Sequence, residues 1–171
     1  TGKMNRGQGI ADLPRLLDAG INVCLGTDGS ASDNLDVMLG MKVTHIAQNY
    51  LKEQVCALAP ESVLEMATVN GARALGWEMG RLAPGQLADF ILVDSQQPHL
   101  RPLITTPRSN VVFNLVYYAS GADVDTVVID GKLVVEGRRM LTLDEVLKAL
   151  DTPLETGLSQ AQAERRLAEH G

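Results

Sequence analysis

Helical spacing and short apolar runs alternate along the first part of the chain. Leucines on one face and a proline in the first turn predict a helix from Asp12 to Gly20. The β-branched apolar run Ile21–Leu25 then predicts a short buried strand. Asp33 or Asn34 can cap a second helix, which runs to about Lys52. This order of elements is typical of the βα unit found in barrels and doubly wound sheets.

The middle of the chain predicts one more helix before the period changes. That helix starts at Pro60, is interrupted near Asn70–Gly71 and stops at Gly76. Residues 88–94 read as a strand, because they are apolar and lie between polar and glycine-rich stretches. The clearest hairpin of the sequence joins two apolar runs through the two-residue turn Asp130–Gly131.

A boundary is predicted near residue 77, where an α/β part gives way to a smaller β part. The β part, 77–140, holds the strand, the hairpin and an apolar segment of mixed pattern at 111–119. The last stretch of the chain has a helical composition again and ends in charged residues. We therefore divide the chain into 1–76, 77–140 and a helical segment 141–171.

Composition and charge restrict the partners and the compartment. The 171 residues are 45% hydrophobic, enough for a core, and 15 basic against 21 acidic residues give a net charge of −6. This balance argues against a nucleic-acid or anionic-membrane surface. With no signal peptide, no membrane-length apolar run and two cysteines expected to stay reduced, we expect a cytoplasmic protein. The chain begins at Thr1 and not at a methionine, which leaves two explanations open: N-terminal processing, or a fragment of a longer protein.

The candidate chemistry follows the first predicted strand, where Asp28 stands between two glycines at the point where parallel sheets and barrels hold substrates and metals. Small polar groups follow at the same end of the strand, from Ser30, Ser32 and Asn34. An aspartate in this position also serves as a turn or capping residue. Asn34 fits a helix cap as well as it fits a substrate contact.

Four motifs, in order and spacing, resemble those of the amidohydrolase superfamily. Residues 26–32, Gly-Thr-Asp-Gly-Ser-Ala-Ser, resemble its eighth-strand motif, in the branch of the triazine hydrolases and the S-adenosylhomocysteine or methylthioadenosine deaminases. Residues 65–76 are similar to its post-barrel helix, 80–94 to its return into a small β-sandwich, and 122–132 to its closing hairpin. The resemblance covers about residues 9–148.

The resemblance implies an α/β fold: the last strand and following helices of a metal-dependent (β/α)8 barrel, with the C-terminal half of a small β-sandwich. It also implies that Asp28 is both a ligand of Zn²⁺ (or Fe²⁺) and the base that orients and deprotonates the attacking water. The reaction implied is hydrolytic deamination or dechlorination of a nitrogen heterocycle, such as an adenosine derivative, a guanine-type base or a triazine.

The histidines that such a metal site needs are missing from this chain. Only His45, His99 and His170 occur, none in the family's His-x-His pair, and we expect all three to be structural or solvated. Asp28 is then the single metal ligand here, and the chain alone is expected to be inactive and to need self-association or the missing N-terminal part. Two rival hypotheses remain, a structural or interaction module without metal, and a lactam or amide hydrolase.

Overall fold

The computed structural model describes residues 7–27 and 34–140, and six single residues beyond them: Thr142, Glu145, Lys148, Ala161, Arg165 and Ala168. Five helices and four strands have bounds in this described part. The helices are α1 (Leu13–Asp18), α2 (Val37–Lys52), α3 (Pro60–Met66), α4 (Val69–Leu75) and α5 (Val111–Tyr117). The strands are β1 (Phe90–Val93), β2 (Val124–Ile129), β3 (Lys132–Glu136) and β4 (Arg139–Met140), with short 3₁₀ turns at Pro98–Leu100 and Gly121–Asp123.

Capping residues set the bounds of the first two helices. Asp12 caps α1 by accepting the backbone N–H of Arg15, and Gly20 follows that helix at φ +74°, so the prediction for α1 is confirmed. Helix α2 ends at Lys52 as predicted, but its cap is Asp36 and not Asp33 or Asn34. Asp36 has extended backbone angles and a carboxylate that reaches the second helical N–H, which is the geometry a cap requires.

Helices α3 and α4 form the predicted interrupted pair, although the break lies elsewhere. It falls at Ala67–Thr68, where Thr68 leaves helical angles, whereas Asn70 and Gly71 lie inside α4. Asn70 is tolerated within the helix because its buried amide bonds to a neighbouring segment. Gly76 ends α4 at φ +70°, as predicted from its position.

The four strands form one antiparallel meander in the order β1-β2-β3-β4. Asp130 and Gly131 have φ values of +52° and +70°, as a type I′ turn requires, and they join β2 to β3 as predicted. The strand predicted at 88–94 is confirmed as the shorter β1. A second tight turn leads into β4, which the apolar pattern did not predict.

The mixed apolar segment 111–119 contains helix α5. Its side chains Val116 and Asn114 are buried, and Asn114 Nδ2 donates to the carbonyls of Leu100 and Pro102 at 3.0 and 3.3 Å. Packing against α2 and α3 therefore overrides the β propensity of its valines and aromatic residues.

One hydrophobic core joins the helices to the sheet. Its buried members come from α2, α3, α5 and the α2–α3 connection, and they are Met38, Met41, Leu58, Val63, Met66 and Val116. Val93 of β1 and Val124 of β2 pack against this cluster. Large apolar side chains stay uncovered by the described residues, notably Leu35, Val55 and Leu82 at 73%, 86% and 77% exposure. Within the described residues, no helix has the length and apolarity to cross a membrane.

Candidate active site between the Ile21–Thr27 segment and helix α2

The segment Ile21–Thr27 leads to the predicted site, and it lies against helices instead of in a sheet. The Leu25 N–H donates to the Met66 carbonyl at 2.8 Å, and Asn70 Nδ2 donates to the Val23 carbonyl at 2.9 Å. This differs from the predicted buried strand, because the segment makes no strand pair with the described residues. A strand exists only through hydrogen bonds to neighbouring strands, and here its neighbours are α3 and α4.

Alternate side chains of this segment face the core, as strand spacing requires. Val23 and Leu25 are partly buried and pack against the core cluster, whereas Asn22 and Cys24, before and between them, are exposed. Asn22 Nδ2 donates to the Asn70 carbonyl at 2.9 Å, so Asn22 and Asn70 hold each other's segments. These contacts hold the segment before residue 28 against α3 and α4.

Asn34 and Asp36 bring the chain into α2 on the other side of the site. The Asp36 N–H donates to Asn34 Oδ1 at 2.6 Å, and Asp36 Oδ1 accepts the Met38 N–H at 2.8 Å. Asn34 thus makes a side-chain turn next to the cap residue. Its side chain is exposed, and the capping role that the sequence offered for it belongs to Asp36.

A small cavity of about 80 Å³ lies where the two sides meet. Backbone and small side chains of the Ile21–Thr27 segment form one wall, and the start of α2 forms the other. The lining residues are Leu25, Gly26, Thr27, Asn34, Asp36, Val37, Leu39, Gly40 and Thr44. The structure therefore brings together the two residues, Thr27 and Asn34, that flank the predicted catalytic stretch.

Three of the four predicted site residues, Asp28, Ser30 and Ser32, lie outside the described residues. Asn34 is described and lines the cavity. Sequence reasoning missed Asn70 and Asp36, which anchor the two sides of the site. A signal existed for Asp36, because it directly precedes the helical pattern of α2, whereas the partners of Asn70 are 47 and 48 residues away in sequence.

The two described histidines have structural partners. His45 is buried, and its Nδ1 donates to the Leu58 carbonyl at 2.9 Å while Asn49 Nδ2 donates to its Nε2 at 3.2 Å, which defines a neutral ring. Tyr117 packs edge-on against that ring. The structural interpretation of His45 is confirmed. His170 lies outside the described residues.

A zinc ion in a protein needs three or four nitrogen, sulfur or oxygen ligands from side chains placed around it. Residues 7–27 and 34–140 contain no group of three or more histidine, cysteine, aspartate or glutamate side chains placed to hold a metal. The described residues therefore do not form a zinc site by themselves.

His99 is exposed, as expected, and it also makes a hydrogen bond at the corner between β1 and β2. Its Nε2 donates to Asp123 Oδ2 at 3.0 Å, and the same oxygen accepts the Ser120 N–H and hydroxyl at 2.8 and 3.0 Å. Burial alone raises the pKa of Asp123, but the hydrogen bonds from His99 and Ser120 outweigh burial and hold that pKa below its usual 3.8.

This pair predicts a pH dependence of stability. A carboxyl whose pKa is lowered by folding stabilises the fold fully above about pH 4 and loses that contribution as the pH falls through the folded-state pKa. Asp123→Asn should lower the free energy of unfolding by about 1–3 kcal/mol at pH 7, since three donors lose a charged acceptor. The difference from wild type should shrink towards pH 2 in denaturant titrations. An equal difference at both pH values would contradict this assignment.

Comparison with known proteins places the chain in a family. Residues 1–134 match the Amidohydrolase family. Because this match takes in well over half of the chain, the chain belongs to the amidohydrolase family.

Two curated relatives are deaminases. The chain is 44% identical over 143 residues to the 5'-deoxyadenosine deaminase of Methanothermobacter thermautotrophicus, a match that covers 83% of this chain and 32% of that protein. It is 42% identical over 163 residues to the 5'-deoxyadenosine deaminase of Methanosarcina acetivorans, with 94% of this chain and 37% of the relative covered. The chain thus spans about a third of the length of the curated relatives it matches.

Solved structures of similar fold include zinc enzymes. An adenosine deaminase from Xanthomonas campestris with bound zinc superposes with a TM-score of 0.77 at 28% identity, over 88% of this chain and 34% of that one. An atrazine chlorohydrolase from Arthrobacter aurescens complexed with zinc superposes with a TM-score of 0.70 at 25% identity, over 86% of this chain and 33% of the other.

The end of the chain has a second match. Residues 139–171 match the family described as cation transporter/ATPase, N-terminus. The match to the Methanosarcina acetivorans deaminase covers 94% of the chain, so it also reaches well into these residues. The two comparisons assign this segment differently, and beyond Met140 only single positions in it are described.

Proposed function

We propose that this chain is the C-terminal part of a metal-dependent amidohydrolase that hydrolyses a non-peptide C–N bond. The reaction is the deamination, or the dechlorination, of a nitrogen heterocycle such as an adenosine derivative, a guanine-type base or a triazine. The observation that carries the proposal is the 44% identity to a 5'-deoxyadenosine deaminase over 143 residues. That match covers 83% of this chain.

In this proposal Asp28 is a metal ligand and the general base. Zinc, held by Asp28 and by ligands outside this chain, would acidify a water molecule. The Asp28 carboxylate orients the attacking water, accepts its proton and returns that proton to the departing amine. Support for this role comes from the residues before it: Thr27 lines the cavity, and the segment that ends at Thr27 is held by hydrogen bonds to Met66 and Asn70.

Substrate contacts fall to the other predicted polar residues of the stretch. Ser30, Ser32 and Asn34 are proposed to line the substrate mouth. Support comes from Asn34, which is exposed beside the cavity while its Oδ1 is held by the Asp36 N–H. An amide fixed through its oxygen keeps its NH₂ in a defined direction, which suits hydrogen bonding to a ring nitrogen.

The rest of the enzyme is proposed to complete the fold around this chain. Residues 1–76 supply the last βα unit of a (β/α)8 barrel and the helix after it, 77–140 supply part of a β-sandwich, and 141–171 form a C-terminal helical segment. The uncovered apolar residues, among them Leu35 and Leu82, support a covering polypeptide or a second copy. The Ile21–Thr27 segment would find its strand neighbours in that missing part.

A chimera tests the proposal. We define it as this chain joined to the portion of the Methanosarcina acetivorans deaminase that precedes the matched region. Ammonia release is measured with 5'-deoxyadenosine, methylthioadenosine, S-adenosylhomocysteine and guanine, chloride release with atrazine, and amide hydrolysis with a lactam. We expect release of ammonia or chloride from at least one heterocycle. A folded chimera that releases neither, beside an active intact relative, would refute the proposal.

A structural or interaction module remains the second candidate, because the described residues hold no group of three metal-binding side chains. The chimera separates the two functions. A module would leave it folded and inactive on every substrate, whereas activity on the lactam alone would favour the amide-hydrolase alternative.

A further inference from the structure

Asp36 connects the start of α2 with a corner of the sheet 85 residues further along the chain. Its Oδ1 accepts the Met38 N–H at 2.8 Å and caps the helix, while its Oδ2 accepts the Gly121 N–H at 3.0 Å. Hydrogen bonds to a charged acceptor are about twice as strong as neutral ones. The bond from the Met38 N–H stabilises the start of α2, whereas the bond from the Gly121 N–H joins α2 to the corner of the sheet.

The corner that Asp36 holds is itself tightly bonded. The Gly121–Asp123 turn is closed by a capping box, in which the Ser120 side chain and the Asp123 carboxylate each satisfy a backbone N–H of the other. His99 adds a hydrogen bond to the same carboxylate. The N–H group presented to Asp36 therefore comes from a turn whose own geometry is fixed.

Asp36 also lines the cavity beside Thr27 and Asn34. We propose that Asp36 is a positioning residue for the active site. By bonding Gly121 through its carboxylate and Asn34 through its N–H, it holds in place the cavity wall that Asn34 and the start of α2 form. The sheet corner thereby becomes part of the support of the site. This inference rests on the proposed function, since that function defines the site being held.

The test compares two helix caps in the chimera. Asp36→Ala should lower kcat by about 10- to 100-fold while KM changes little, because small displacements of reacting groups cost rate more than binding. Asp36→Asn, which keeps one acceptor, should lie in between. Asp12→Ala is the matched control, since Asp12 also caps a helix, α1, and pairs with Lys52. Lys52 lies at the far end of the 16-residue α2, about 24 Å from Asp36. This control variant should lower the melting temperature without lowering kcat.

A second pair of variants removes the donor instead of the acceptor. Gly121 is the first residue of its turn and follows an extended Ser120, so the backbone accepts proline there. Gly121→Pro deletes the N–H and should lower kcat as Asp36→Ala does, with no further loss in the double variant. Gly121→Ala keeps the N–H, and its Cβ would stand an ordinary 3.5 Å from the carboxylate, so it should behave as wild type.

Amide hydrogen exchange of the chimera gives a readout that needs no activity. In Asp36→Ala the Gly121 amide should exchange about 10-fold faster or more, the change expected when a bond to a charged acceptor is lost. If the wild-type chimera is inactive, the proposed function fails and exchange still decides on the anchor. Unchanged exchange at Gly121, or a kcat loss no greater in Asp36→Ala than in Asp12→Ala, would overturn the inference.

Discussion

Asp28→Asn in the chimera is expected to lower kcat/KM for its best heterocyclic substrate by about 10³- to 10⁴-fold. The amide cannot accept the proton of the attacking water, and it is a poorer metal ligand than a carboxylate, so both proposed roles are lost together. The fold should be retained, because the segment that ends at Thr27 is held by backbone and amide hydrogen bonds to Met66 and Asn70, which the substitution leaves unchanged. Steady-state ammonia or chloride release measures the loss.

The control for this change is Asp130→Asn. It makes the same exchange in the tight turn between β2 and β3, where Asn-Gly forms a type I′ turn as well as Asp-Gly does. This variant should turn over substrate at the wild-type rate. Turnover by Asp28→Asn within a few-fold of the control would show that Asp28 is not the base.

Leu58→Ala should lower the free energy of unfolding of this chain by about 2–5 kcal/mol. Leu58 is 3% exposed and sits in the core cluster with Met38, Met41 and Val63, so truncation leaves a cavity where α2 and α3 meet. The backbone carbonyl that accepts the His45 hydrogen bond is unchanged by the substitution. Urea titration followed by circular dichroism gives the difference.

The same substitution at Leu82 provides the control. In this chain without a covering polypeptide Leu82 is 77% exposed, so Leu82→Ala should change its free energy of unfolding by no more than about 0.5 kcal/mol. Similar losses at the two positions would mean that the core does not lie between the helices as described.

Features with a local cause were predictable from the sequence. The Asp130–Gly131 turn needs two residues that tolerate positive φ, and Gly76 ends α4 for the same reason. The α1 cap at Asp12 follows from an acceptor placed ahead of a proline-containing first turn. In each case the information lies within a few residues.

Features set by distant contacts were not predictable. The segment that contains helix α5 shows only a mixed apolar pattern in the sequence, and it is helical because Val116 and Asn114 are buried against other elements. The Ile21–Leu25 run shows the reverse case, since its composition predicts a strand and the described chain offers helices as neighbours. Pairing partners, and not propensity, decide both.

The candidate site also has a part that could be predicted from the sequence and a part that could not. The motif around residue 28 and the family were evident from sequence, and membership of the amidohydrolase family is confirmed. The anchors of the site were not evident, because Asp36 meets Gly121 and Asn70 meets Val23 only in the folded chain. A side chain with a partner tens of residues away leaves no trace in local spacing.

The central claim is that Asp28 contributes a metal ligand to a site completed by the rest of the enzyme. Anomalous diffraction at the zinc edge, on crystals of the zinc-loaded chimera, tests it directly. We predict a single zinc peak at about 2.0–2.2 Å from an Asp28 carboxylate oxygen, with its other ligands outside this chain. A zinc peak without Asp28 in its coordination shell, or an active chimera whose crystals contain no zinc, would contradict the claim.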